Sequence, residues 1–268
     1  MQQEGGWRCP ATGDFFPSIR GVPAFVSETL RSKMESERTG MINRLKVFLR
    51  SFPRFYVFLI YAVSPVCLTG LSAKKFVRRF IPEATILNIG SGIHRLAPNV
   101  LNVDIYWYPG VDIIADAHAL PLPTDSIDGV VCEFLLEHVP DPQRVVGEIL
   151  RILKPGGCAY LAAPFVYPFH ASPNDFQRWS REGMKKMCKG GTVEEIAPRS
   201  GPTSALVAQL GTWAAIIFSF GNEHLYGILT IVFTTLFSPL KWLDLIFGKF
   251  PTAFHGAASF YAVVRKPA

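Results

Sequence analysis

The sequence predicts an α/β fold in which one buried, mostly parallel sheet forms the core. Three features of residues 84–164 predict it: short β-branched runs alternate with polar turns, the first run ends in a Gly-x-Gly turn, and a stretch of helical periodicity precedes the last run. Strands buried on both faces have such continuous apolar sequences. We expect strands at residues 85–89, 100–104, 112–115, 127–132, 157–163, 192–197 and 257–265.

The connections between the first three predicted strands are short. Residues 90–99 join the first two strands and residues 105–111 join the next two, whereas a parallel crossover normally takes about a dozen residues or more. We therefore expect turns or loops in place of the usual helices. One face of the sheet then needs another cover, and we expect the apolar segment before Lys74 to provide it. The later crossover is predicted to be a helix at residues 135–153.

The composition allows a large core and suggests contact with a membrane. The 268 residues include 49% hydrophobic and 13% aromatic side chains, and the mean hydropathy of +0.23 is high for a soluble enzyme. The net charge is +6, and basic residues concentrate between residues 31 and 79. This stretch indicates an anionic partner, either lipid headgroups or nucleic acid, or else a solvated basic face.

Two apolar regions flank the predicted core. A basic helical stretch at residues 30–54 leads into the uncharged run 55–71. That run is shorter than the about 20 residues of a spanning helix and fits an interfacial helix or a buried core helix. Residues 200–222 and 225–240 also lack charge. They predict a helical hairpin that turns at residues 221–224 and forms a buried lid, an interfacial hairpin or a re-entrant membrane segment.

The cysteines and the first residues indicate neither a metal nor secretion. The five cysteines include no Cys-x-x-Cys pair, so neither a disulfide framework nor a zinc cluster is indicated, and we predict no metal site. The polar first residues show no secretory signal. We therefore expect a cytoplasmic protein, peripheral on the membrane if its apolar segments lie at the interface.

Six segments in the core carry a family resemblance. Leu-Asn-Ile-Gly-Ser-Gly, Val-Asp, Ala-Asp-Ala-His-Ala-Leu-Pro, Ile-Asp-Gly-Val, Leu-Glu-His-Val-Pro-Asp-Pro and Leu-Lys-Pro-Gly-Gly occur at residues 87–92, 103–104, 115–121, 127–130, 136–142 and 153–157. In this order they resemble class I S-adenosylmethionine-dependent methyltransferases of type 11. The resemblance implies S-adenosyl-L-methionine as cofactor and a Rossmann-like seven-stranded sheet of order 3-2-1-4-5-7-6. Its last strand would be antiparallel.

The resemblance also implies roles for the matching positions. The Gly-x-Gly turn would pass under the methionine and ribose of the cofactor, and Asp104 would accept from the ribose hydroxyls. Asp116 with the Ala117 amide would read the adenine, and the end of the fourth strand at Glu133 would line the sulfonium. The cofactor-binding residues predicted in this way are Asn88, Gly90, Ser91, Gly92, Asp104, Ile105, Asp116, Ala117 and Glu133.

Asn88 departs from the family pattern, and the family does not fix the identity of a catalytic base. Asn88 stands where the family has an acid, so the charge near the cofactor's amino group is missing and weaker cofactor binding is expected. No motif names a catalytic base. His170 follows the fifth strand and His138 follows the fourth, and we predict either as a general base on the acceptor. Asp175, Arg178 and Trp179 lie near His170 in sequence and are expected to shape the acceptor site.

Residues 1–28 resemble the small zinc-ribbon-like leader that precedes some methyltransferase domains. That leader has Cys-Pro-x-Cys-Gly, an aromatic residue and Gly-Ile-Pro, and this chain has Cys-Pro at residues 9–10 and Gly-Val-Pro at residues 21–23. Thr12 replaces the second thiolate, and one thiolate cannot build a tetrahedral zinc site. We therefore expect a metal-free β-turn module.

The expected organisation is a leader at residues 1–28, a basic and apolar helical segment at 29–82, a methyltransferase core at 83–200, an apolar hairpin at 201–256 and the last core strand at 257–268. The expected function is methyl transfer to a small-molecule, lipid or glycan-type acceptor near a membrane. Two alternatives stay open: an RNA methyltransferase, motivated by the basic stretch although no RNA-binding module is recognisable, and an inactive methyltransferase fold that serves as an interaction protein.

Overall fold

A computed structural model of the 268-residue chain describes residues 2–3, 5–8, 13, 15–26, 63–170 and 174–268. The predicted basic helix at residues 30–54 lies outside the described residues. So do residues 55–62 of the apolar run 55–71 and the Cys9 and Thr12 positions of the leader.

The described strands join one mixed sheet, and the described helices lie between β4 and β11 in the chain. The strands are β1 (Gln2–Gln3), β2 (Gly6–Arg8), β3 (Phe15–Ile19), β4 (Val22–Phe25), β5 (Ile86–Ile89), β6 (Val100–Asp104), β7 (Ile113–Ala115), β8 (Ile127–Glu133), β9 (Leu153–Pro164), β10 (Thr192–Ser200) and β11 (Ser259–Arg265). The helices are α1 (Ala73–Val77), α2 (Pro142–Ile152), α3 (Arg181–Met187), α4 (Pro202–Ser219), α5 (Glu223–Phe237) and α6 (Asp244–Phe247).

The core of the sheet has the order β7-β6-β5-β8-β9-β11-β10, which in core numbering is 3-2-1-4-5-7-6. The strand β5 pairs in parallel with both β6 and β8, and all four of its residues are buried. Cover on both faces explains why three of its four residues are apolar. The strand β11 runs antiparallel to both β9 and β10. The α/β class and this order are those that the family resemblance implies.

The leader continues the core sheet. The strand β4 pairs in parallel with β7, with Ala24 opposite Ile114, and strands β1 to β3 add to it in antiparallel fashion. Ala24, Val111 and Ile114 are buried together, and the Arg20 guanidinium lies 4.3 Å from the ring centroid of Trp107. An edge strand offers unpaired backbone groups, and here the leader covers the edge at β7.

The short first connections are confirmed. Within the described residues, neither the 90–99 nor the 105–111 connection contains a helix. The exposed face is covered by α1 and its flanks, whose Phe76 and Val77 pack in one apolar cluster with Ile86 and Tyr160. The cover therefore includes Ala73, before Lys74 as expected, but it also extends past Lys74 to Phe80.

The predicted helix at 135–153 was too long at its start. A 3-10 turn occupies Leu136–His138, and α2 begins at Pro142. Pro140 disfavours helical backbone at Val139, which is extended. The Asp141 side chain then caps the helix by accepting from the Arg144 N–H at 3.0 Å.

The hairpin predicted from the uncharged runs is present as α4 and α5, with its turn at residues 220–222. The α4 N-terminus has no side-chain cap from its own first residues. Instead the buried Asp244 carboxylate accepts from the Thr203 and Ser204 N–H groups, both at 2.8 Å. A Cβ at Gly201 would lie 2.5 Å from an Asp244 oxygen, so only glycine allows this approach. Sequence beyond α5 thus anchors the start of the hairpin.

The outer face of the hairpin is strongly apolar. None of the α5 residues is buried, and large side chains on both helices and in the turn between them are about half exposed or more. These are Leu206, Trp213, Ile216, Ile217, Phe218, Phe220, Ile228, Ile231, Val232 and Leu236. By length and composition alone, the stretch Glu223–Phe247 is able to cross a membrane, and 17% of its most apolar window is buried in the protein.

Candidate functional site

A cavity of about 830 Å³ lies at the carboxyl ends of β5, β8 and β9. We call it the main cavity. It lies where the strand order reverses around β5, the usual place for ligands in open parallel sheets, and its volume is typical of small-molecule sites. Its lining includes the loop after β5, the ends of β8 and β10, the loop after β9 and the start of β11, represented by Ser91, Glu133, His170, Arg199 and Ser259.

The Gly-x-Gly turn brings backbone to the cavity wall. Both Gly90 and Gly92 have positive φ, at 70° and 53°, a region that favours glycine. A Cβ at Gly90 would lie 3.0 Å from the Leu135 side chain. The Gly90 N–H donates to the Val103 carbonyl at 2.8 Å. The turn is thus held against β6 with its residues lining the main cavity.

Asp104, at the end of β6, holds the same turn. One carboxylate oxygen accepts from the Gly92 N–H at 2.8 Å and the other from the Tyr106 N–H at 2.8 Å. The residue is buried. Its carboxylate therefore ties the turn after β5 to the end of β6. It is not part of the main-cavity lining.

The predicted adenine-reading residues also lie off the main cavity. An Asp116 oxygen accepts from the His118 N–H at 2.9 Å and lies 2.7 Å from His118 Nδ1, and neither Ala117 nor Ile105 lines the cavity. The structure therefore divides the predicted cofactor residues. Those that it brings together around the main cavity are Asn88, Gly90, Ser91, Gly92 and Glu133.

Asn88 has a structural task at the position where the family has an acid. Its side-chain amide donates to the His94 carbonyl and to Asn102 Oδ1, both at 3.1 Å. Asn102 in turn donates to the Gly110 carbonyl at 2.8 Å. The amide therefore joins the loop after β5 to β6, and a carboxylate there would place an acceptor against acceptors.

Glu133 is neutralised by a partner that sequence reasoning missed. The Arg199 Nε donates to a Glu133 oxygen at 2.8 Å, and the Tyr160 hydroxyl lies 3.4 Å from the same oxygen. Arg199 is buried although charged. It enters the site because β10 continues to Ser200, beyond the predicted end at residue 197, and no local motif marks it.

Glu137, His138 and His170 cluster beside the main cavity. Their ligand atoms lie within 4.8 Å of one another, close enough to hold a metal ion. Glu137 is fully buried, and both its carboxylate oxygens lack a hydrogen-bond partner within the described part of the chain. Burial raises the pKa of Glu137 to about 8. Glu137 and His170 line the cavity, whereas His138 does not and binds the Asn174 carbonyl through Nδ1 at 2.6 Å.

Arg178 holds the loop that carries His170. Its guanidinium donates to the Tyr167 carbonyl at 3.1 Å, to the Pro168 carbonyl at 2.8 Å and to the Asp175 carboxylate at 2.6 Å. The ion pair with Arg178 lowers the pKa of Asp175 to about 2. Burial lowers the pKa of His170, which favours its neutral form.

Trp179 does not reach the cavity lining. Its side chain is buried in the main core, and its backbone N–H donates to the Pro164 carbonyl at 3.0 Å. It is therefore a packing residue of the loop after β9.

A second cavity of about 230 Å³ lies beneath the hairpin. We call it the side cavity. It is bounded by the short segment 63–65, by the loop at residues 167–170 and by α4 and α5. Tyr167 and His170 line both cavities, so the two spaces adjoin at these side chains.

Parts of the chain are similar to known methyltransferases. Residues 66–161 match a family model described as a methyltransferase domain. A 60-residue stretch is 50% identical to 2-methyl-6-phytyl-1,4-hydroquinone methyltransferase 1 of Oryza sativa subsp. japonica, a chloroplastic protein, and covers 22% of this chain and 18% of that one. A 127-residue stretch is 30% identical to the ubiquinone biosynthesis O-methyltransferase of Xanthomonas oryzae pv. oryzae, covering 38% of this chain and 51% of that one.

The chain thus spans about half or less of the length of these two curated relatives. Among solved structures, a Burkholderia thailandensis 1,6-didemethyltoxoflavin-N1-methyltransferase with bound S-adenosylhomocysteine covers 86% of this chain and 92% of its own length. The TM-score is 0.47 and the identity 12%.

Proposed function

We propose that this chain, whose residues 66–161 are a methyltransferase domain of the S-adenosylmethionine-dependent type, transfers a methyl group from that cofactor to a small, lipid-type acceptor at a membrane. One observation carries the proposal. The main cavity joins the Gly-x-Gly turn on one side to His170 on the other, which is the juxtaposition of cofactor and acceptor that methyl transfer needs.

The cofactor's methionine would lie along residues 90–92, near Asn88, and Glu133 would line the sulfonium. By the family resemblance, Asp104 would accept from the ribose hydroxyls, and Asp116 with Ala117 would contact the adenine outside the main cavity. Each of these assignments combines the family resemblance with the geometry. Their shared basis is that β5, β6 and β7 end side by side at one edge of the sheet.

Methyl transfer from a sulfonium requires few catalytic groups from the protein. The cofactor would supply an activated methyl group: the acceptor atom would attack the methyl carbon, and the electron pair of the broken carbon–sulfur bond would stay on sulfur, leaving S-adenosylhomocysteine. The methyl on a sulfonium is already activated, so the chain contributes in-line positioning and exclusion of water. The acceptor's proton goes to a base, for which His170 fits best because it lines the cavity and burial favours its neutral form. His138 is the second candidate base; it does not line the main cavity but lies beside Glu137 and His170, which do.

The membrane part of the proposal is supported by the exposed hairpin. Soluble monomers rarely expose such large contiguous apolar patches, and patches of this kind mark membrane or partner contacts. Both curated relatives named above belong to quinone chemistry by their names, which supports a small acceptor with an apolar part.

Two measurements on the full chain test the proposal. Calorimetry with S-adenosylmethionine and S-adenosylhomocysteine should show saturable binding, and no binding at millimolar cofactor would overturn the enzyme assignment in favour of an inactive fold. Flotation with liposomes in the absence of detergent should carry the protein to the lipid fraction. A protein that stays monodisperse in buffer and does not float would overturn the membrane assignment.

A further inference from the structure

We propose that the side cavity binds the hydrocarbon chain of the acceptor while the acceptor's polar, reacting group lies in the main cavity against His170. The inference rests on the proposed function and adds a chemical class to it. The acceptor is an amphipathic molecule whose reacting ring or head group carries an apolar tail.

The first support is the shared wall. The segment at residues 63–66 separates the two cavities: Val63 and Pro65 line the side cavity, whereas Ser64 and Val66 line the main one. Tyr167 and His170 line both. A molecule whose head contacts His170 therefore has a second space directly beside its attachment point.

The second support is the difference in chemistry between the two spaces. The main cavity contains the charged side chains of Glu133 and Arg199. The described lining of the side cavity consists of apolar residues such as Ala208 and Ile231, of threonines and of two tyrosines. Apart from these tyrosines, His170 is the one ionisable side chain in that described lining. The Thr230 hydroxyl donates to the Tyr226 carbonyl at 2.8 Å, so its donor is already satisfied without a ligand. The side cavity thus suits hydrocarbon.

The third support is where the side cavity leads. Its wall residue Ile231 is 61% exposed and shares the outer face of the hairpin with Ile228 and Val232. A volume of about 230 Å³ equals roughly seven or eight water volumes, which is room for a short stretch of hydrocarbon chain. A longer tail would therefore leave along the hairpin's apolar face.

Binding of 4-alkylphenols that carry zero to eight chain carbons tests the inference. The titrations use the full chain in lipid nanodiscs with saturating S-adenosylhomocysteine. Affinity should rise about threefold to fourfold per methylene while the chain enters the cavity. The substitution Thr212→Phe, at a half-buried position in the side-cavity lining, should flatten this dependence. Thr235→Phe, on the exposed side of the same hairpin, should leave it unchanged.

A flat chain-length dependence in the unmodified protein, or equal slopes in both variants, would overturn the inference. Because Thr212→Phe risks misfolding, cross-linking provides a second measurement on the unmodified chain. A 4-alkylphenol with a diazirine at its fourth chain carbon should label peptides of α4 and α5 that line the side cavity, and labelling spread evenly over the hairpin would contradict the inference. Absence of S-adenosylhomocysteine binding in the same samples would instead refute the proposed function.

Discussion

The buried Glu137 predicts an unusual dependence of stability on pH. Burial raises its pKa from the ordinary 4.5 to about 8, so between these values the folded chain binds a proton that the unfolded chain has lost. The free energy of unfolding therefore falls as pH rises through this window. For a shift of this size the loss between pH 5 and pH 8 is about 3 kcal/mol.

Glu137→Gln removes the titration while keeping the shape of the side chain. We expect the variant and the unmodified chain to be equally stable near pH 5. By pH 8 the variant should be more stable by about 3 kcal/mol, or roughly 6–12 °C in Tm for a chain of this size. Thermal unfolding in mild detergent at several pH values measures the difference.

Glu148→Gln is the matched control. The hydrogen bond from Arg151 lowers the pKa of Glu148, so its contribution is present above the ordinary pKa of glutamate and is lost as pH falls. This control should lower the Tm at pH 7, the opposite sign. Parallel pH profiles for Glu137→Gln and the unmodified chain would refute the argument that the Glu137 carboxyl is buried without a hydrogen-bond partner in the described part of the chain.

Three further substitutions test other parts of the structure. Asn88→Asp should lower stability by about 1–3 kcal/mol and leave cofactor affinity no better, since a carboxylate would face the His94 carbonyl and Asn102 Oδ1; tighter S-adenosylhomocysteine binding at unchanged Tm would contradict this. Arg178→Lys loses the fork that holds two loop carbonyls and Asp175, so hydrogen exchange of residues 165–170 should accelerate, and unchanged protection would sink the idea. Asp244→Asn should cost about 2–3 kcal/mol, because an amide N–H would point at the donors of α4; urea unfolding measures it, and a cost below about 0.5 kcal/mol would show that the cap is dispensable.

The core strands could be predicted from the sequence because their signal is local. Residues 86–89 are buried, and a strand covered on both faces is mostly apolar whatever its neighbours are; Asn88 is the one polar residue of this strand. The turn at Gly90 is equally local, since positive φ favours glycine. The start of α2 was misplaced because the apolar spacing continues through Leu136, and the effect of Pro140 on Val139 was given too little weight.

The rest of the site could not be predicted because it depends on distant pairs. Arg199 and Glu133 are 66 positions apart, and nothing near either residue indicates the other. The leader's strand β4 reaches β7 across about 90 positions, so its place in the sheet is also a tertiary result. The burial of Glu137 follows from the same long-range packing, and the local sequence around it does not indicate that burial.

The anchoring of the hairpin has a kinetic consequence. Asp244 ties the base of α4, and the Lys241 ammonium donates to the Ser64 carbonyl at 2.7 Å beside the main cavity. On the proposed function, the hairpin lies in the bilayer, and these hydrogen bonds hold the main cavity at a fixed distance from the membrane surface. The enzyme then meets its acceptor in two dimensions, and its turnover should follow the acceptor's mole fraction in the lipid instead of its bulk concentration. Diluting the acceptor with inert lipid at constant total amount would slow such an enzyme.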